Sequence, residues 1–97
     1  MIIVHDIFIC KPGNASKMAK LCKEFMLGQM GITQVLTDVA GQFNKVVLVS
    51  QYESLAEYED SFKNMDPNAE AIKKMQEAMK NYHDKYLTGS REIYRTW

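Results

Sequence analysis

With 97 residues, 46% of them hydrophobic and 25% charged, the chain has the length of one domain and too much apolar mass for a disordered one. Twelve Lys and Arg balance twelve Asp and Glu, so no net field gathers nucleic acid or an anionic membrane surface, and neither is an expected partner. The short basic set Lys17, Lys20 and Lys23 alternates with apolar residues and reads as a solvated helix face.

The opening stretch MIIVHDIFIC reads as a strand over residues 2–10, ended by the turn signal Lys11-Pro12-Gly13. It carries charge and lacks a basic leader, unlike a signal peptide, and no apolar run reaches the ~20 residues of a membrane span. A cytoplasmic protein is expected. Asn14 is placed to cap a helix whose apolar stripe is Met18, Cys22, Phe25 and Met26, closed by Gly28. Cys10 and Cys22 are too few for a disulfide framework and have no CxxC spacing, so both read as reduced packing residues.

Residues 32–39 and 45–52 are rich in β-branched side chains and joined by a Gly- and Asn-bearing link, which predicts a hairpin. Ser54 and Glu57 form a capping box before a helical stripe of Leu55, Tyr58, Phe62 and Met65. Asp66-Pro67 breaks that helix, because the residue before proline is pushed out of helical geometry while Asp and Pro suit a new start. The second piece carries Ile72, Met75, Met79, Tyr82 and Tyr86, and residues 90–97 read as a last strand after Gly89. The order β-α-β-β-α-β predicts an α+β, ferredoxin-like domain over residues 1–97, with a four-stranded antiparallel sheet and both helical regions on one face.

A sheet covered on one side alternates apolar and polar residues, and these strands do not. The first strand is apolar in both sets, Ile3, Ile7 and Ile9 on one side and Ile2, Val4, Phe8 and Cys10 on the other; Val46, Leu48, Val47 and Val49 repeat the pattern. The face left bare by the helices therefore calls for a second copy, sheet against sheet.

The stretch GQFNKVVLVSQYESLAEYEDSF at the centre and GSREIYRTW at the end, set in this element order, resemble the dimeric α+β-barrel superfamily. Within it the chain is most similar to the NIPSNAP-like and antibiotic-biosynthesis-monooxygenase-like families. The resemblance spans the whole chain, but its strongest parts, the Gly-x-Phe hairpin, the Tyr-x-Ser-Leu-x-x-Tyr approach to the second helical region and the Arg-Glu-x-Tyr final strand, are marks of fold and not of a reaction. It implies a homodimer whose sheets close into a barrel, with a cavity in each subunit between sheet and helices. Members use that cavity for cofactor-free oxygenation of polyphenols or quinols, for haem degradation, for dechlorination of haem-bound chlorite, or for isomerising muconolactone. The haem-degrading branch has an Asn in its first strand and a Trp and a His in its second helical region. Here the matching first-strand residue is His5, the helix has no Trp and His83 comes later, so haem degradation is not expected.

His5 suits a proton acceptor or hydrogen-bond partner for a phenol or quinol, since imidazole titrates near neutrality. A half-buried histidine bonded to a neighbour is the structural alternative. Asp6 points to the opposite face from His5, so the two do not form one dyad; the barrel or dimer side, with Arg91 or Arg95 as partner, is its expected place. Tyr58, Phe62, Met65, Met79 and His83 are the candidate lining of the cavity, His83 having the alternative of capping its helix. Two histidines supply too few ligands for a metal site, and no cofactor is expected. Two functions follow. One is a small-molecule-binding homodimer, with a cofactor-independent monooxygenase of an aromatic or quinol substrate as its catalytic form; the alternative is a non-catalytic dimeric ligand-binding or interaction module.

Overall fold

A computed structural model describes residues 1–28, 31–41, 43–63, 69–80 and 86–97, with the side chains of Ala71, Met75, Ala78 and Met79 outside that description. The elements are β1 (Ile2–Cys10), α1 (Ala15–Phe25), β2 (Ile32–Thr37), β3 (Lys45–Tyr52), α2 (Leu55–Lys63), α3 (Glu70–Met79) and β4 (Tyr86–Arg95). The sheet order is β2-β3-β1-β4, and every neighbouring pair is antiparallel. This is the expected ferredoxin-like arrangement. The second helical region is two helices, as the Asp66-Pro67 signal implied, although those two residues lie outside the described ones. No described helix is long and apolar enough to cross a membrane.

Local chemistry accounts for the joints. The Glu57 N–H donates to Ser54 Oγ at 3.2 Å, and Glu57 Oε2 accepts from the Glu53 N–H at 2.8 Å, so the capping box forms with its return bond one residue early. Asn14 stands at the N-cap of α1 without a side-chain cap bond. In the β2–β3 hairpin Phe43 and Asn44 have φ of 69° and 54°, a left-handed conformation that Asn adopts readily and that is costly for Phe. Asp38 holds them there, accepting from the Phe43 N–H at 2.7 Å and the Lys45 N–H at 3.0 Å.

Residues directly opposite in an antiparallel pair share a face, so the register sorts the sheet. Val4 pairs with Ser50 and Ile93, Asp6 with Leu48 and Arg91, and Phe8 with Val46 and Gly89. That set faces the helices. It contributes one buried cluster of Cys10, Val46 and Leu48 with Met18 and Cys22 of α1, and a second of Ile2, Val4, Tyr52 and Tyr58. The opposite face carries Ile3, His5, Ile7, Ile9, Val47 and Val49, with Leu36 and Tyr94 at its margins, and no described helix covers it. A thickness of 18 Å agrees with one sheet under one layer of helices.

Three expectations change. β4 begins at Tyr86, not Ser90: Gly89 sits within the strand opposite Phe8, a place where an edge strand tolerates a residue without a side chain. Tyr86 therefore belongs to the sheet and not to the stripe of α3, whose one buried described residue is Ile72. Leu55 is 55% exposed, because α2 meets the sheet chiefly at β3 and buries Tyr58 alone.

Candidate functional site

Between the helix-bearing face of the sheet and the helices lies a cavity of about 430 Å³. Its floor is Phe8 of β1 with Leu48, Ser50 and Tyr52 of β3, closed at one side by Ile32. Met18, Cys22 and Met26 line one wall because a four-residue step returns each to the same side of α1. Tyr58 and Phe62, also four apart on α2, line another, while Gln76 and Lys80 stand at the α3 side. Most of this lining is apolar.

The polar end is built by a cross-strand pair. Asp6 and Arg91 face each other in the β1–β4 register, and Arg91 Nε donates to Asp6 Oδ1 at 2.5 Å. Hydrogen bonding to Asp6 raises the guanidinium pKa further above its already high value. The same guanidinium lies 5.9 Å from the centroid of the Tyr58 ring. Tyr58 is wedged edge-on between Tyr52 and Phe62, with ring centroids 5.0 Å and 5.2 Å away. Only 8% of the residue is exposed, and its hydroxyl has no hydrogen-bond partner among the described residues. Burial pushes the Tyr58 phenol pKa up, partly offset by the nearby Arg91 charge. Burial likewise pushes the Cys22 thiol up to about 11, so it is a neutral wall residue and not a nucleophile at neutral pH.

The sequence placed His5 at this cavity and Asp6 on the opposite side, and the register reverses them. His5 lies on the helix-free face between Val49 and Glu92, its ring edge-on to Tyr94 at 5.2 Å. The separation of the two onto opposite faces holds, as does the Asp6–Arg91 pairing, but the pair belongs to the cavity. Tyr58 and Phe62 stand in its lining. Met65, His83 and the side chain of Met79 lie outside the described residues. Asp6, Arg91 and Cys22 were missed as lining residues. With apolar residues on both faces of β1, periodicity alone could not say which set meets the helices.

Among the described residues no group of three His, Cys, Asp or Glu is placed to hold a metal ion. Chemically, the described lining offers largely apolar walls, one carboxylate, and hydrogen-bond donors from Arg91 and Tyr58 beside it.

No family model matches the chain, and no curated protein matches it in sequence. Solved structures do match in shape. An uncharacterised NIPSNAP domain protein from Burkholderia xenovorans superposes with a TM-score of 0.78 at 11% identity, over 100% of this chain and 95% of that one. A NIPSNAP family protein from Agrobacterium tumefaciens gives 0.75 at 13% identity, over 97% and 90%. A candidate antibiotic biosynthesis monooxygenase from Deinococcus radiodurans gives 0.60 at 12%, over 100% and 93%. The chain has the NIPSNAP-like and monooxygenase-like fold. At such identities the likeness is one of backbone, and no residue's role passes from those proteins to Asp6, Arg91 or Tyr58.

Proposed function

We propose that the protein is a homodimer that binds one small, largely apolar aromatic compound in the cavity of each subunit. The observation that carries this is the cavity itself. At about 430 Å³ it falls in the usual range for small-molecule sites, ~300–1,000 Å³, and it sets one polar end into apolar walls, which is the pattern such sites share. The dimer is supported by the helix-free face, whose half-buried residues Ile3, Ile7, Ile9 and Val47 would meet their copies about a twofold axis. His5 and Tyr94 would then lie between the two sheets. Two free, buried thiols suit a reducing compartment such as the cytoplasm.

The catalytic form of this reading is a cofactor-independent monooxygenase, supported by the name of one structural neighbour and by a carboxylate at the cavity's polar end. In it Asp6 takes the proton of an aromatic hydroxyl compound. A methylene of the ring system then becomes a carbonyl, with one atom of dioxygen entering the product, the other leaving as water, and all four electrons coming from the substrate. The non-catalytic reading is favoured by a different observation: Arg91 already occupies Asp6, the one acidic residue among the described lining.

Oxygen uptake on a panel of quinols and anthrone-type compounds separates the two. The enzyme reading expects uptake that Asp6→Asn abolishes and His5→Ala leaves intact. Saturable binding without uptake supports the binding module. Loss of uptake in His5→Ala, with the dimer and cavity preserved, would move the chemistry to the other face of the sheet.

A further inference from the structure

We propose that the polar end of the cavity selects a neutral oxygen acceptor on the ligand, a ketone or quinone carbonyl, with Arg91 and Tyr58 as its donors and Asp6 as the group that disfavours carboxylates. This rests on reading the cavity as a ligand site. Arg91 uses Nε for Asp6, and its guanidinium carries four further N–H donors. Tyr58 lines the same cavity, is 8% exposed, and its O–H has no acceptor among the described residues. A buried donor without an acceptor is a cost that an incoming acceptor relieves. That hydroxyl is closed off from solvent. The carbonyl therefore meets Arg91 first, and the arginine side chain, 51% exposed, shifts to let it reach Tyr58.

Charge decides between a carbonyl and a carboxylate. Asp6 opposite Arg91 cancels the formal charge of this end, so a carboxylate would bring an uncompensated anion next to an existing one among apolar walls. Lys80, the other cation among the described lining, is exposed just past the C-terminal end of α3 and pairs with Glu77 at 3.5 Å. A carbonyl needs donors but no counter-charge, and donors are what Arg91 and Tyr58 supply.

Three probes of nearly one shape test this by calorimetry on the intact protein: tetralin, with no oxygen, 1-tetralone, with a neutral carbonyl, and 1-naphthoate, with a carboxylate. The expected order is 1-tetralone tightest, by about tenfold over tetralin, with 1-naphthoate weaker than the ketone. Tyr58→Phe keeps the ring and should lower 1-tetralone affinity by roughly three- to tenfold while leaving tetralin unchanged. The bound ketone's C=O stretch should lie below its value in hydrocarbon solvent and move back up in Tyr58→Phe. Asp6→Asn should strengthen 1-naphthoate binding. Equal binding of tetralin and 1-tetralone, or no change in the stretch on Tyr58→Phe, overturns the inference and leaves the ligand-site reading standing. Tightest binding of 1-naphthoate overturns it in favour of an anion site. Binding of none of the three overturns the ligand-site reading and the inference with it.

Discussion

Ile7→Lys puts a charge at the centre of the helix-free face, in the row formed with Val47 and Leu36. Ile7 is half-buried in the single chain, so docking a second sheet hides the remainder of its surface, a gain of about 1 kcal/mol per copy and about 2 kcal/mol per dimer. The substitution removes that gain. It also leaves two ammonium groups at the interface, and even with their stems angled toward the rim this brings the total loss to the order of 5 kcal/mol. A dissociation constant then rises by between three and four orders of magnitude. Light scattering at micromolar concentration should give the mass of a dimer for the unchanged protein and of a monomer for Ile7→Lys, with the far-UV circular dichroism of both alike. Glu24→Lys, on the exposed side of α1, is the control and should stay dimeric. A dimeric Ile7→Lys protein would refute the sheet-to-sheet arrangement, and a monomeric unchanged protein would refute the dimer.

Gly31 has φ +73°, and a Cβ there would stand 3.0 Å from the Gln51 carbonyl oxygen and 3.1 Å from the Tyr52 ring, so Gly31→Ala should cost about 2 kcal/mol and lower the melting temperature by several degrees. The Cys22 thiol stays neutral up to about 11 in the folded chain but ionises near 9.0 when unfolded, so stability should fall as pH rises through that window, and Cys22→Ala should flatten the fall in urea titrations. Backbone N–H groups, that of Lys45 foremost, lower the Asp38 pKa below its ordinary 3.8; its support of the hairpin is thus present above that value and lost as pH falls through the depressed folded pKa. Amide exchange at Phe43 and Lys45 should quicken in that acid range, and Asp38→Asn should remove the pH dependence.

The order of elements was legible because each boundary has its own chemistry: Lys11-Pro12-Gly13 after β1, the Ser54–Glu57 box before α2, and Asp38 to Asn44 between β2 and β3. The start of β4 was not. Gly89 looks like punctuation in a sequence, but it lies at a sheet edge where no second strand needs its side chain. The site was harder to read for a related reason. Asp6 and His5 are neighbours in a strand apolar on both faces, so one residue of register decides which of them meets the cavity. The pairing of β1 with β3 resolves it, because Asp6 stands opposite Leu48, which packs in the core against Met18 and Cys22 of α1, and the pairing with β4 then sets Arg91 beside Asp6. Tyr58 was legible as an inward helical residue, but an unpartnered hydroxyl is a property of three-dimensional packing and leaves no trace in spacing.

The central claim is that the space between α1, α2 and the sheet holds a small molecule, and methionine methyl groups report on it directly. With ¹³C-methyl methionine and titrated 1-naphthol, the Met18 and Met26 signals should shift saturably at one ligand per subunit, while Met1, which is exposed and outside the lining, stays in place. Met18 and Met26 signals that never move, or a drift shared equally with Met1, would contradict the account.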